Sequence, residues 1–318
     1  MSDSIFLHQH SEFKELISIV ADQLKIDSYL AEKDYWIMHC LFGLQQAGYD
    51  FQLKGGTSLS KGFKVIHRFS EDIDIHITPP AHLDLKTGKN HNKSQHIEAR
   101  KNYYDSLAKE ISIIDIEASR DSAFDDENRY RSGGIRLAYK SHFEIGITTA
   151  KEAVLLEVGF DDIAPNAPID ISSWAFEHAI AQGVDVIDNR AKKVPCYEPG
   201  YTFVEKLQTI ATKYRNYKSG DEFPANFMRH YYDVYCLFKE ESVQAFIGTD
   251  GYHVHKKKRF PTVDLEVPIS KNQAFLLADS DDFRVFKKEY EEQKALYYSG
   301  QPDFEDVIKE IRRKISDL

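Results

Sequence analysis

Between Leu53 and Ile77 the chain reads LKGGTSLSKGFKVIHRFSEDIDIHI, and two groups of residues within it have the types and spacing to do chemistry. Asp72 and Asp74 are two apart in a run whose alternate positions are Ile73, Ile75 and Ile77, so a strand here carries both carboxylates, with His76, on one face. Carboxylates side by side repel unless a cation joins them, and hard divalent ions such as Mg²⁺ or Mn²⁺ take oxygen ligands of this kind together with substrate phosphates. Upstream, Gly55 and Gly56 permit close backbone approach, while Thr57 and Ser58 offer hydroxyls at the start of a helical stretch expected over 59–67, where free N–H groups favour an anion. The combination predicts metal-assisted nucleotidyl transfer from an NTP. Each half has a plainer reading, a strand with one wet face and an ordinary turn, and it is their order and spacing that join them. The glycines match neither a Walker A loop nor a dinucleotide-binding fingerprint.

Further along, Glu157 stands amid Val154, Leu155, Leu156, Val158 and Phe160. A carboxylate in so apolar a strand is unfavourable unless paired or metal-bound, which makes Glu157 a candidate third metal ligand; the alternative is a sheet-edge glutamate facing solvent. Thr202 and Glu205, after Pro199 and Gly200, have the spacing of a capping box with Thr202 as N-cap. Lys206 then falls in the first turn, against the positive end of the helix dipole, where it gains from an anion such as a nucleotide phosphate. In RHYYDVYCLF, Arg229 and Asp233 are i and i+4 on one helix face, the spacing of a surface salt bridge. Lys33 and Asp34 read likewise as a helix-surface ion pair.

The stretch KGGTSLSKGF followed by RFSEDIDI, together with AEKDYWIMHCLFGL, FVEKL and RHYYDVYCLF in the same order, resembles nucleotidyltransferase toxins of the AbiEii/AbiGii type, a branch of the DNA polymerase β-like superfamily. The similarity spans most of residues 10–240 and fades beyond about residue 245. It implies that Gly55, Gly56, Thr57 and Ser58, with Lys61 and Ser70, hold the triphosphate, that Asp72 and Asp74 bind metal, and that Lys206 and Asp233 complete the catalytic set. Glu157 departs from the superfamily, where Asp is more usual. The resemblance further implies the toxin half of a bacterial toxin–antitoxin or phage-defence pair, with a cognate antitoxin encoded nearby and an RNA acceptor, since members resembling it modify tRNA acceptor ends.

The elements that must position these residues form an α+β chain. An N-terminal nucleotidyltransferase domain, residues 1–165, is expected as a mixed sheet flanked by helices, and a mainly helical C-terminal domain, residues 166–318, is expected to complete the cleft, with the turn-rich NAPIDISS at the boundary. Apolar residues at helical spacing predict helices from Ser11 as cap to Leu24, over 29–46, over 97–111 and within 283–318. Strands are predicted over 135–139 and 154–160, and residues 78–96, rich in Pro, Gly, Asn, Lys and His, read as a mobile loop or hairpin insertion.

With 318 residues, 42% hydrophobic and 29% charged, the chain can bury two cores, and no run of 18 apolar residues suggests a membrane span. The N-terminal residues lack the basic and apolar parts of a signal peptide, so a cytoplasmic location is expected. Cys40, Cys196 and Cys236 read as buried thiols. A net charge of −10 argues against a surface that grips nucleic acid broadly, so RNA contact must be local, through the basic stretch from Lys86 to His96 or that from His253 to Arg259, each otherwise a solvated loop. A protein or small-molecule acceptor would use the same core. A non-catalytic nucleotide-binding regulator fits less well, because the Asp-x-Asp pair is intact.

Overall fold

The computed structural model describes residues 4–144, 153–161 and 163–318. The chain forms two compact units, Met1–Phe63 with Phe69–Tyr197, and Lys64–Arg68 with Glu198–Leu318. It therefore leaves the first unit just after the glycine-containing turn, contributes five residues to the second, and returns just before the aspartate strand.

The first unit contains helices α1 (Phe13–Leu24) and α2 (Ser28–Gln46), strand β1 (Phe51–Lys54), a helical turn α3 (Gly55–Thr57) extended by a π-helical turn over Ser58–Gly62, and strand β2 (Asp72–Ile77). It continues with α4 (Ser94–Glu110), β3 (Glu117–Asp121), β4 (Ser132–Ala138), β5 (Val154–Gly159), β6 (Asn166–Ile171), α5 (Trp174–Ala181) and β7 (Ala191–Tyr197). The strands make one mixed seven-stranded sheet in the order β3-β4-β5-β2-β1-β7-β6. β2 runs antiparallel to β1 and parallel to β5. Its alternation is as expected: Ile73, Ile75 and Ile77 are buried with Leu53, Ile135, Leu137, Leu156 and Val158, while Asp72, Asp74 and His76 are half-buried. α2 packs on β5 and β7 and is buried along nearly its whole length, the pattern of a central rather than a surface helix. Its N-cap is Asp27, which accepts from Tyr29 N at 2.8 Å. α1 begins after Glu12, so Ser11 is not its cap.

Three expectations change here. The division falls after Tyr197 and not after residue 165, because β6 and β7 pair with each other and β7 joins β1, extending the sheet of the first unit. Glu157 lies on a strand with neighbours on both sides, so it is no sheet-edge residue. The segment over 78–96 is anchored: buried Arg100 donates to the main-chain oxygens of Lys86 at 2.8 Å and His91 at 3.1 Å, and Arg131 to that of Lys89 at 2.7 Å. Backbone carbonyls gathered by two guanidinium groups hold this loop in one shape.

The second unit is helical: α6 (Pro199–Lys218), α7 (Arg229–Leu237), α8 (Glu241–Phe246), α9 (Asp250–Arg259), α10 (Thr262–Leu265), α11 (Gln273–Leu276), α12 (Ser280–Glu291) and α13 (Phe304–Lys314). Phe223, Phe227, Tyr231 and Phe286 form an edge-to-face cluster at its centre. α13 closes it with Phe304, Val307, Ile308 and Ile311, all buried as their spacing predicts. α6 starts four residues earlier than expected, with Pro199 at the first helical position and Glu198 before it. Thr202 is consequently inside the helix and buried, and Glu205 is not at the third helical position; its Oε1 faces Arg259 Nε at 3.4 Å and His255 Nε2 at 3.7 Å. The stretch from His253 to Arg259 is helix α9 rather than a loop. No described helix is long and apolar enough to cross a membrane.

Candidate active site

β1 ends at Lys54 and the chain enters α3 at Gly55, whose φ of +70° lies in the left-handed region that side chains disfavour. A second constraint falls on the same residue. A β-carbon on Gly55 would run into the Asp74 carboxylate, with Asp74 Cγ at 2.9 Å. The glycine turn and the second aspartate are thus in van der Waals contact, brought there by the β1–β2 pairing that sets Lys54 opposite Asp74. Thr57 Oγ1 donates to the main-chain oxygen of Asp72, tying the turn to the other aspartate. The side chains of Thr57 and Ser58 are fully buried, Ser58 Oγ lying 3.5 Å from Tyr197 O, so what this turn offers an anion is its first N–H groups, which lack helical acceptors. The helical stretch spans Gly55–Gly62, earlier than the expected 59–67, because the strand runs straight into it.

Asp74 is in register with Glu157 on the parallel strand β5, and Asp72 with Leu155. Asp72, Asp74 and Glu157 therefore share one sheet face, with Glu157 half-buried. Their oxygens suit a hard divalent ion, and Mg²⁺ takes one or two carboxylates and completes its shell with phosphate and water. Asp72 and Asp74 fit that role. Glu157 is not drawn in to make a closed triad: among the described residues no three His, Cys, Asp or Glu side chains gather to hold a metal.

Sequence reasoning missed what lies under the turn. Lys33 and Asp34 are not a surface pair but are both buried, at 0% and 2% exposure, and each reaches into the motif region. Lys33 Nζ lies 3.4 Å from Glu71, the residue before Asp72, and Asp34 meets Lys61 at 2.5 Å and the N–H of Trp174 at 2.8 Å. Burial raises the Asp34 pKa and the Lys61 ammonium opposes that rise. Lys61, expected at the triphosphate, pairs with Asp34 of α2. Ser70 is half-buried in the segment entering β2. The one sequence signal for this device was the run of Glu32, Lys33 and Asp34 in an otherwise apolar helix.

The second unit holds the other candidates. Asp233 on α7 is fully buried and grips Arg68 through two bonds of 2.7 Å, with Lys206 Nζ at 3.0 Å. Burial alone would raise the Asp233 pKa, but Arg68 and Lys206 outweigh it and hold the carboxyl well below its usual range. Lys206 is about two turns into α6, not in its first turn, so the helix dipole has no part in its role. Lys213, further along α6, has its pKa lowered by burial and then by Lys206. His230 is held well below its ordinary value by burial and by the same two lysines. Arg68 and Lys206 thus share one carboxylate, leaving a surplus of positive charge. Arg68 was within reach of sequence reading, since it precedes the aspartate strand in RFSEDIDI.

A family model described as "Nucleotidyl transferase AbiEii toxin, Type IV TA system" matches residues 36–310. The chain belongs to the AbiEii nucleotidyltransferase toxin family. The match covers every candidate from Gly55 to Asp233, while Lys33 and Asp34 fall just ahead of it. Among solved structures, an antigenic nucleotidyltransferase-like protein from Paracoccidioides brasiliensis is similar at 14% identity, over 74% of this AbiEii-family chain and 98% of that one, with a TM-score of 0.35. No curated protein matches.

Proposed function

We propose that this AbiEii-family chain transfers a nucleoside monophosphate from an NTP to an RNA acceptor such as tRNA, using a divalent metal, as the toxin of a type IV toxin–antitoxin pair whose antitoxin is its partner. The observation that supports the reading is the contact between Gly55 and Asp74, which would join an anion-binding turn to a cation-binding carboxylate within one site. Phosphate and metal are recognised together in nucleotidyl transfer, so that juxtaposition favours it over an amphipathic strand with a wet face.

In this reaction the acceptor hydroxyl oxygen attacks the α-phosphorus, its proton passes to a carboxylate, and the bond to pyrophosphate breaks. The N–H groups of Gly55, Gly56 and Thr57 would bind and orient the outer phosphates. Asp72 and Asp74 would hold Mg²⁺ or Mn²⁺, with Glu157 beside Asp74 receiving water or proton on the same face. Bound there, the ion would supply Lewis-acid polarisation of the α-phosphate and stabilise the leaving pyrophosphate. Thr57 would fix the start of β2 through its bond to Asp72 O. In the second unit, the cation surplus at Lys206 would receive a phosphate group, Asp233 and Arg68 keeping the ammonium in place.

A protein or small-molecule acceptor is the competing reading, favoured by the net charge of −10. Incubation with each labelled NTP and total cellular RNA, followed by separation of RNA, protein and small molecules, decides between them. Label in the RNA fraction supports the proposal, and label only elsewhere overturns the acceptor.

A further inference from the structure

Lys213 on α6 is a half-buried ammonium without a counter-ion: among the described residues no hydrogen bond or ion pair reaches it. Burial lowers its pKa, and Lys206 lowers it further. His230 on α7 has a matching defect, since its Nδ1 is shut off from solvent and has no hydrogen-bond partner among the described residues. Buried polar atoms and charges are unfavourable unless paired, so two such groups side by side call for a ligand that pairs them.

The two helices bring these groups together. The ring centroids of Phe203 and Phe238 are 5.0 Å apart and Lys206 Nζ lies 3.0 Å from Asp233, so residue numbers fall along α7 as they rise along α6. The helices are therefore antiparallel. Lys206 and Lys213, at i and i+7, share one face of α6 over about 10.5 Å at 1.5 Å per residue. His230, one turn back from Asp233, falls at a level between the two lysines. After burial, those lysines are what hold the His230 pKa down.

The charges select the ligand. Arg68 and Lys206 share the Asp233 carboxylate and Lys213 adds a third cation, so three positive groups stand against one negative group, with His230 neutral. Two positive charges remain. A single carboxylate would neutralise one of them, whereas a terminal phosphate brings a charge of about −1.5 to −2 at neutral pH and three acceptor oxygens. Two ammonium groups and one imidazole N–H supply donors for those oxygens.

We propose that Lys213 and His230, beside Lys206, form a seat for a terminal phosphate group, the ammonium groups neutralising its charge and His230 Nδ1 donating a hydrogen bond to one of its oxygens. The phosphate can be the outer one of the NTP or the 5′-phosphate of an RNA end, which share this chemistry. The inference rests on the nucleotidyl-transfer reading for its place in the reaction, though not for the seat itself.

Calorimetric titration of the full chain with pyrophosphate, in EDTA so that no metal bridges the carboxylates, tests it. Wild type should bind, Lys213→Met should bind about tenfold or more weakly, as for a lost hydrogen bond to a charged group, and Lys213→Arg should recover most of the affinity. His230→Leu should weaken binding about threefold or more, the scale of a neutral hydrogen bond. Lys213→Met removes an unpaired, half-buried charge, so its melting temperature should equal or exceed that of wild type, which a lysine serving only the fold would not give. Wild type that binds no pyrophosphate, or Lys213→Met that binds it as tightly as wild type, overturns the proposal. Should Lys213→Met melt lower, His230→Leu decides, weakened binding upholding the seat and unchanged affinity overturning it. The four NTPs, and bulk tRNA with and without its 5′-phosphate, identify the source. Loss of NTP affinity in Lys213→Met assigns the seat to the NTP, loss confined to 5′-phosphorylated tRNA assigns it to the RNA end, and no loss toward either overturns it. Transfer is measured in parallel. Lys213-dependent binding of pyrophosphate by a protein that transfers nothing keeps the seat and rejects the reaction, and normal transfer with Lys213-independent binding does the reverse.

Discussion

Gly55 is held by two independent constraints, a positive φ and the Asp74 carboxylate at its α-carbon, and a methyl group violates both. Gly55→Ala should cost about 1–3 kcal/mol in stability through backbone strain. By displacing Asp74 it should also lower kcat/KM for transfer by about a hundredfold, the effect of misplacing a reacting group by an ångström. A variant with the melting temperature and turnover of wild type would show that the contact is incidental. Asp233 has a different weakness. Asp233→Asn leaves Arg68 buried against a neutral amide and should destabilise by about 3–5 kcal/mol, as measured by chemical denaturation. Because the Asp233 pKa is lower folded than unfolded, its contribution is present above about pH 3.9 and lost as pH falls below that value. Residue types were legible at both positions. Their geometry was not: Asp233 was read as the i+4 partner of Arg229, and its grip on Arg68 comes from a segment 165 residues away in sequence.

At the scale of elements, β2 and α13 were legible because one face of each is buried and the period shows it. β3 reads EASRD and lies at the sheet edge, and β6 and β7 set Pro168 opposite Pro195, so neither composition nor periodicity marks them as strands. The polar start of α2 misled in the opposite direction, since its charges are satisfied by Glu71 and Lys61, which no local pattern connects to it. The same helix holds the N-terminal segment through a histidine clasp. His8 Nδ1 lies 2.8 Å from the Tyr35 hydroxyl, Asn189 Nδ2 bridges Tyr35 and His39 at 2.9 Å each, and His39 Nε2 donates to Ile114 O at 2.9 Å. Burial pushes the His39 pKa down to about 4, against the pull of the Ile114 carbonyl. His39 is thus neutral when folded and charged more readily when unfolded, so its contribution is complete above about pH 6.5 and is lost as pH falls toward 4. Unfolding free energies should drop by about 1–3 kcal/mol between pH 7 and pH 4.5 from this residue, a slope that His39→Gln removes. Equal slopes in the two proteins would place the acid sensitivity elsewhere.

For the whole molecule, a net charge of −10 coexists with local cation surpluses, so any RNA acceptor meets the protein at particular places rather than over its surface. The basic stretch on α9 is less available than its sequence suggests. His255 is buried and Arg259 faces Glu205, while Lys256 lies over the rings of Tyr252 and Phe260; His253, Lys257 and Lys258 are exposed. The alternation of units along the chain was illegible because the five residues from Lys64 to Arg68 carry no boundary signal; they belong to the second unit through Tyr232, Asp233 and Tyr298. The central claim is that Asp72 and Asp74 form a cation-dependent transfer site with the Gly55 turn. Its most direct test is single-turnover transfer of labelled NMP to total RNA at saturating Mg²⁺, comparing wild type with Asp72→Asn and Asp74→Asn of matched melting temperature. Each substitution should reduce the transfer rate by about a hundredfold or more, the scale of losing an electrostatic transition-state contact. Transfer at the wild-type rate in either variant would contradict the assignment of the site.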